Sequence, residues 1–577
     1  MGMVTLTIDG RQVTVPEGTT ILEAARRADI QIPTLCFFEG LNNPGACRVC
    51  VVEVEGARNL QAACVTPVGE NMKVSTNSPV AREARRTTLE LILSDHPDEC
   101  LTCIRNTNCE LQDLAESFGI RQIRYAGERS EHELDESSPS IVRDNRKCVI
   151  CRRCVAACQQ LQGLKVIAPM ERGFDTVIAP PFGVDMGHAD CTFCGQCILA
   201  CPTGALHERD HTEAVWAALA DPKKHVIVQT APATRVSVGE TLGLPPGSVV
   251  TGQMVAALRR LGFDRVFDTD FTADLTIMEE GYELIDRLTN NGKLPMITSC
   301  SPGWIKFIEH QFPTLLEHLS TCKSPQQMFG ALAKTYYAES AGIDPADIYS
   351  VSIMPCTAKK YEAARDEMSD SGHRDVDAVL TTRELGRMIK EAGIDFANLP
   401  EDEYDSPFGI TTGAGLIFGA TGGVMEAALR TAYEVVTGKS LEDINFTAVR
   451  GMEGIKEATV PVGDIEVKVA VAHTLGNARK VLERIAAGEA DYHFVEVMSC
   501  PGGCIGGGGQ PIPTTDEIRK TRIASIYSVD ERMKIRKSHE NPAVQKLYQD
   551  FLGEPLGHKS HELLHTHYVP RGKYKDV

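Results

Sequence analysis

The residues with the greatest chemical reach in this sequence are its cysteines. Cys500 and Cys504 stand in Glu496-Val-Met-Ser-Cys-Pro-Gly-Gly-Cys-Ile-Gly-Gly-Gly-Gly-Gln510, a loop built almost wholly of glycine. Glycine takes positive φ and has no Cβ, so such a loop can close on a bulky object. Two other segments place a cysteine behind a short apolar run: Leu294-Pro-Met-Ile-Thr-Ser-Cys300 and Tyr349-Ser-Val-Ser-Ile-Met-Pro-Cys356. Tyr492 to Met498 precedes Cys500 in the same way, and Val226-Ile-Val-Gln-Thr-Ala-Pro232 ends in a small, rigid tip without a thiol. These runs predict short buried strands, and in an open parallel sheet ligands bind beyond the carboxyl ends of the strands. Cys300, Cys356, Cys500 and Cys504 are therefore expected to converge, and four thiolates are what an iron–sulfur cluster takes. A disulfide would need an oxidising compartment, which nothing in the sequence suggests.

The amino-terminal cysteines fall into sets. Cys148-x2-Cys151-x2-Cys154-x3-Cys158 and Cys191-x2-Cys194-x2-Cys197-x3-Cys201-Pro202 are two copies of the bacterial ferredoxin run, in which the fourth cysteine ligates the other cluster. The spacing predicts one [4Fe–4S] cluster on Cys148, Cys151, Cys154 and Cys201, and a second on Cys191, Cys194, Cys197 and Cys158. His96-x3-Cys100-x2-Cys103-x5-Cys109 suits zinc or a cluster equally by spacing alone. Cys36, Cys47, Cys50 and Cys64 follow a hairpin expected over Met3 to Val15, turning at Asp9-Gly10, and a helix expected over Thr20 to Ala28 with Thr19 as its cap. That order resembles a [2Fe–2S] domain, with structural zinc as the rival. Cys322 is left over and reads as a small buried hydrophobe.

These sets need scaffolds. A length of 577 residues suggests about four domains, and 42% hydrophobic with 24% charged residues is ordinary for a soluble globular chain. The net charge of -19 argues against nucleic acid and fits an acidic surface meeting basic patches on a partner. No stretch approaches a membrane span and no secretory leader is evident, so a cytoplasmic protein is expected, whose twenty cysteines read as metal ligands. Arg82 to Leu93 has a helical pattern. From about residue 215, strands alternate with helices. The expected fold is an α/β catalytic domain with largely parallel sheets, preceded by α+β ferredoxin-like iron–sulfur domains. The expected boundaries are 1–79, 80–126, 127–214 and 215–577, with a helical, basic stretch over about 515–577.

Thr298-Ser-Cys-Ser-Pro-Gly-Trp304, Met354-Pro-Cys-Thr-Ala-Lys-Lys-Tyr-Glu362 and Met498-Ser-Cys-Pro-Gly-Gly-Cys504 resemble the three signature segments of the [FeFe]-hydrogenases. The whole chain is similar to the long clostridial-type enzymes and to the catalytic subunit of NAD(P)-dependent electron-bifurcating hydrogenases. Its last stretch resembles the family's small-subunit segment. The resemblance implies one [2Fe–2S] cluster, three accessory [4Fe–4S] clusters and an H-cluster. In the family, the H-cluster is a [4Fe–4S] cluster bridged to a two-iron centre carrying CO, cyanide and a dithiolate amine, which makes or splits H2. The resemblance also decides His96 for a [4Fe–4S] cluster, as in the large iron–sulfur subunit of respiratory complex I.

Further roles come from the same resemblance. Cys300, Glu280, Ser320, Glu283 and Arg287 fall where the family relays protons; by spacing alone, Glu280, Glu283 and Arg287 form a solvated helix face. Lys359 matches a lysine that contacts a cyanide. Pro232, Ala233, Ser324, Pro325, Gln326, Met354, Phe418 and Met498 match positions that shape the pocket, although Phe418 and Met498 alone would read as core. The first signature segment departs from the family, which has two adjacent cysteines where this chain has Cys300 and Ser301. In strict register Ser301 takes the cluster-ligand place and Cys300 the relay; the alternative makes Cys300 the ligand.

Gly413-Ala-Gly415 with Gly419 does not complete a dinucleotide loop, and no P-loop occurs, so NAD(P) or flavin is expected on another subunit. The implied partners are ferredoxin, flavin- and NAD(P)-binding subunits of a bifurcating complex, and a maturation machinery. His561-Glu-Leu-Leu-His565 matches a zinc-protease pattern without a third ligand and is set aside. The competing reading is a non-catalytic iron–sulfur carrier or cluster-assembly scaffold. The carrier leaves the four carboxy-terminal cysteines idle. The scaffold leaves Lys359 and the Glu280 to Arg287 face unexplained.

Overall fold

The computed structural model describes residues 2–441, 443–463 and 465–572. At the amino terminus β1 (Met3–Ile8) and β2 (Arg11–Pro16) pair antiparallel. Asp9 and Gly10 both take positive φ, 46° and 81°, the turn that matches strand twist. Leu6, Ile8, Val13 and Val15 alternate into the core. Helix α1 (Ile21–Arg27) is capped by Thr20, and the expectation of Thr19 is corrected. The Thr20 hydroxyl accepts the Glu23 N–H while the Glu23 carboxylate accepts that of Thr20, a reciprocal box that only the residue three before the glutamate can make. The Thr19 hydroxyl donates instead to the Pro16 carbonyl at 2.7 Å. β3 (Val51–Val54), β4 (Gln61–Ala62) and β5 (Lys73–Ser75) complete a five-stranded sheet of order β2-β1-β5-β3-β4.

Helix α2 (Pro79–Asp95) outruns the expected span at both ends, with Ser78 as cap and Pro79 in the first turn. α3 (Glu110–Ser117) starts directly behind Cys109. Next come β6 (Leu134–Asp135), β7 (Ile141–Asp144), the short helix α4 (Arg153–Ala156), β8 (Ala168–Met170), β9 (Val177–Ala179), α5 (Gln196–Ala200) and β10 (Leu206–Glu208). β10, β7 and β6 form a small antiparallel sheet, and β8 pairs with β9.

After α6 (Thr212–Ala220) the pattern becomes α/β: β11 (His225–Thr230), α7 (Thr251–Leu261), β12 (Arg265–Asp268), α8 (Thr269–Thr289), β13 (Met296–Ile297), α9 (Pro302–Gln311), α10 (Pro325–Leu332), β14 (Ile348–Met354), β15 (Ala378–Thr381), β16 (Ile455–Val462), β17 (Ile465–His473) and β18 (Phe494–Met498). One four-stranded sheet, β12-β11-β14-β15, is parallel throughout. The other, β13-β18-β17-β16, is parallel except for the β16–β17 pair. Helices cover these strands, which explains their continuous apolar runs; every residue of β18 is buried. The strand expected over Leu294 to Cys300 shrinks to two residues. Pro295 has no N–H for the ladder, and the Ser299 hydroxyl turns to the Cys322 carbonyl at 2.7 Å.

The last stretch holds helices Asp516–Arg532, Pro542–Leu547 and His558–Leu564; residues 573–577 lie outside the described residues. Buried ion pairs and hydrogen bonds fasten it to helical segments packed on the α/β sheets. Arg522 grips Glu240 at 2.7 and 2.6 Å, and Arg430 grips Asp530 at 3.0 Å through both oxygens. Asp274 of α8 accepts the Ser538 hydroxyl at 2.8 Å and the Asn541 amide at 2.9 Å. Removing one partner of such a pair would strand a buried charge, at a cost of about 3–5 kcal/mol. Among the described residues, no helix is long and apolar enough to cross a membrane.

Candidate active site

The carboxyl ends of β11, β13, β14 and β18 point to one cavity. Pro232, Cys300, Ser301, Pro325, Gln326, Met354, Cys356, Lys359, Phe418, Met498, Cys500 and Cys504 line it. Ala233 and Ser324 are buried next to lining residues; the Ser324 hydroxyl donates to Glu362 at 2.9 Å. The loop after β18 comes so close that a side chain at Gly507 would lie 2.1 Å from the Pro355 carbonyl, and one at Gly503 2.7 Å from the Thr421 nitrogen.

The cavity is hostile to bare thiolates. Burial, and then the neighbouring Cys504, pushes the Cys356 thiol up to about 12. Burial likewise holds Cys300 and Cys500 well above the ordinary thiol range. Crowded thiols in an apolar pocket are stable as anions only against a strong Lewis acid, which is the situation of cluster ligands. The Gln326 Oε1 is buried without a partner, an acceptor left for a bound group. The donor set, the glycine-lined approach and this open acceptor fit an iron–sulfur centre.

Lys359 donates to Glu362 at 2.8 Å and to the Cys300 carbonyl at 3.2 Å. Glu362, which sequence reasoning gave no role, also accepts the Gln326 amide at 3.1 Å. Its position three residues after Lys359 on helix Ala358–Ala363 was the available signal. Glu496 of β18 was also missed. Fully buried, it accepts the Gly422 and Met425 N–H groups at 2.6 and 2.8 Å, fixing the start of helix Gly423–Thr437 behind Phe418.

A line of polar groups runs along α8. Glu280 is 1% and Glu283 8% exposed, so the face is buried, not solvated. Burial first, then the Glu283 charge, pushes Glu280 up to about 8. Ser320 donates to Glu283 Oε2 at 2.8 Å, and Arg287 reaches Glu283 Oε1 at 2.6 Å. Arg287 also donates to the Leu319 carbonyl at 2.7 Å.

The amino-terminal sets gather separately. Cys148, Cys151, Cys154 and Cys201 surround one pocket, and Cys158, Cys191, Cys194 and Cys197 another. His96, Cys100, Cys103 and Cys109 surround a third, with Cys100 exposed. Cys50 and Cys64 bring their sulfurs to 3.4 Å, and Cys36 and Cys47 lie near enough to shift one another's thiols. The second of these pockets touches the catalytic loops. Gln196 donates to the Gly506 carbonyl at 2.9 Å, Thr357 to that of Phe193 at 2.7 Å, and Gln162 to that of Ser499 at 3.0 Å. A side chain at Gly195 would lie 2.9 Å from the Gly508 Cα, and one at Gly508 2.4 Å from the Cys194 carbonyl.

Comparison with known proteins finds five family matches along the chain. Residues 224–508 match the iron only hydrogenase large subunit, C-terminal domain, and residues 516–571 the iron hydrogenase small subunit. Residues 2–79 match a 2Fe-2S iron-sulfur cluster binding domain, 85–124 the NADH-ubiquinone oxidoreductase-G iron-sulfur binding region, and 147–205 a 4Fe-4S dicluster domain. The chain is 56% identical to the NADP-reducing hydrogenase subunit HndD of Solidesulfovibrio fructosivorans, over 99% of this chain and 100% of that one. It is 44% identical to iron hydrogenase 1 of Clostridium pasteurianum, over 98% and 100%. A solved [FeFe]-hydrogenase HydA1 from Chlamydomonas reinhardtii superposes with a TM-score of 0.58 at 50% identity, over 63% of this chain and 100% of that one. With the cysteine-ringed cavity at the strand ends, the iron–sulfur domains before it and these likenesses over nearly its whole length, the chain belongs to the [FeFe]-hydrogenase family.

Proposed function

We propose that this chain catalyses 2 H+ + 2 e- ⇌ H2 at the cavity lined by Cys300, Ser301, Cys356, Cys500 and Cys504. One observation carries the reading: thiols from separate strand ends meet in an apolar cavity, and a buried Glu280–Ser320–Glu283–Arg287 line runs along the adjoining helix. Cys356, Cys500 and Cys504, with Ser301 at the fourth place, would hold an H-cluster, a [4Fe–4S] part together with a two-iron centre carrying CO, cyanide and a dithiolate amine. When bound, that group supplies the reversible two-electron chemistry of hydrogen.

The chain's own groups do the rest. Lys359, steadied by Glu362, presents an ammonium to an anionic ligand. Met354, Phe418, Met498, Pro232 and Pro325 exclude water. Cys300 carries protons between the cavity and Glu280. A carboxyl whose pKa stands near 8 takes up and releases protons close to neutrality. Ser320 passes the proton to Glu283, and Arg287 holds Glu283 at the outer end.

For electrons, the reading assigns one [2Fe–2S] cluster to Cys36, Cys47, Cys50 and Cys64, one [4Fe–4S] cluster to His96, Cys100, Cys103 and Cys109, and two to the crossed ferredoxin sets. The corresponding units are 1–79, 80–126, 127–214 and 215–577. The name of the relative at 56% identity, an NADP-reducing hydrogenase subunit, supports an NAD(P)-linked assembly; the reading adds flavin-bearing partner subunits, ferredoxin as a further electron carrier and a cytoplasmic location. The two-iron centre is supplied by a maturation machinery. Infrared spectroscopy of the matured protein tests the whole reading: CO and cyanide bands together with H2 production are expected, and their absence after maturation removes it.

A further inference from the structure

Cys322, the cysteine outside every cluster set, is buried in apolar core as expected, but its sulfur faces acidic neighbours. Its sulfur is 3.8 Å from Glu283 Oε2, and its backbone bridges to His565. One ligand atom from each of Glu283, Cys322 and His565 lies within 4.8 Å of the other two, and all three side chains are buried. His565 is already oriented. Its Nε2 is 3.1 Å from Glu279 Oε2, and Glu279 is itself held by the Tyr548 hydroxyl and the Leu556 N–H. Its Nδ1 is 2.8 Å from the Thr321 hydroxyl.

We propose that Glu283, Cys322 and His565 form a binding site for one zinc-class divalent cation, and that filling it closes the proton line. The donor set of one sulfur, one imidazole and one carboxylate suits a borderline-soft cation, not magnesium or calcium, which take oxygen. Around tetrahedral zinc, a sulfur bond of about 2.3 Å and an oxygen bond of about 2.0 Å put those two donors roughly 3.5 Å apart, so the sulfur and Oε2, at 3.8 Å, need to close by only about 0.3 Å. A histidine that gives one ring nitrogen to a carboxylate is the arrangement that orients metal-binding imidazoles. With Nε2 kept on Glu279, Nδ1 is the nitrogen that serves the cation, once the Thr321 hydroxyl that now bonds it at 2.8 Å has turned away.

Charge points the same way. Burial, and then Glu283, Glu280 and Glu279, hold the Cys322 thiol protonated; the cation displaces that proton to solvent and relieves the crowding of acids. Arg287 competes only for Oε1. Oε2 receives neutral donors from Ser320, Thr321 and Cys322. The exposed His561 ring lies 4.4 Å from that of His565 and offers an approach from solvent.

The site rests on these side chains alone; its effect on turnover rests on Glu283 being the proton carrier. Anaerobic, cluster-loaded protein is stripped with a chelator and titrated with zinc chloride. The readouts are zinc per chain, zinc K-edge X-ray absorption, iron content and H2 evolution from reduced methyl viologen. One zinc with a mixed sulfur, nitrogen and oxygen shell is expected at unchanged iron, with turnover falling about tenfold or more and recovering with chelator. Cys322→Ser and His565→Gln should each lose the bound zinc and the inhibition, judged against their own metal-free rates. Glu279→Gln, which removes no ligand, should weaken binding by about tenfold. No stoichiometric zinc, or zinc held equally by Cys322→Ser and His565→Gln, overturns the site. Zinc bound through these residues without inhibition keeps the site and overturns Glu283 as carrier.

Discussion

The Ser301 hydroxyl lies 2.8 Å from that of Ser499 and accepts the Ser499 N–H at 3.3 Å. This turns Ser301 toward the Cys500 loop, while the Glu280 charge acts on Cys300. This arrangement supports the proposed assignment of Ser301 to the cluster and Cys300 to the start of the proton line. Cys300→Ala should leave the [4Fe–4S] electron paramagnetic resonance signal in place and cut turnover about a hundredfold or more. If that signal is lost, Cys300 is the ligand. Ser301→Cys should shift the signal and retain turnover.

Glu283→Gln keeps the shape of the side chain and its hydrogen bond from Ser320 but cannot cycle a proton. Turnover should drop about a hundredfold or more, with the infrared bands of the two-iron centre unmoved. Full activity in this variant would show that protons leave by another way.

Glu280 links the proton line to stability. Its pKa stands near 8 in the folded chain against an ordinary 4.5, so folding takes up a proton at intermediate pH. The associated stability is complete below about 4.5 and declines as pH rises through 8. The slope cannot exceed about 1.4 kcal/mol per pH unit. Glu280→Gln should flatten the fall in unfolding midpoint between pH 5.5 and 7.5, read by circular dichroism under argon; an unchanged slope would assign it to other groups.

Metal content tests the cluster sets. Protein purified with chelator, then unfolded in air, should release well over a dozen irons and essentially no zinc. His96→Ala should lose one cluster's iron and spare the rest. Stoichiometric zinc bound at His96 would replace that assignment.

Purification from the native host tests the partners. A stable assembly containing flavin and reducing NAD(P) with H2 is expected. A chain that runs alone and is fully active with ferredoxin would sink the assembly.

Local chemistry was legible in the sequence. Cysteine spacing and short apolar runs disclosed the strand ends, and Asp9-Gly10 disclosed its hairpin. Signals of one or two residues were less secure. Thr19 and Thr20 are equally good caps by type, and only Glu23 distinguishes them. What the sequence hid were pairings across long separations. Nothing near Arg430 announces Asp530, and nothing in Cys322 announces Glu283 or His565. The face of Glu280 and Glu283 looked solvated because spacing says which residues share a face, not what packs against it; α10 and the carboxy-terminal helices cover it. The same segments returned His565, set aside with its protease-like motif, as a neighbour of the proton line.

Gly195 and Gly508 meet backbone to backbone where the ferredoxin-like unit touches the catalytic loops. On the proposed assignment of clusters to the cysteines on either side, electrons would cross this contact, and tunnelling weakens exponentially with the gap. A methyl group on Gly508 would strike the Cys194 carbonyl, and one on Gly195 the Thr357 hydroxyl and the Gly508 Cα, so the absence of two β-carbons is what lets the two units approach this closely.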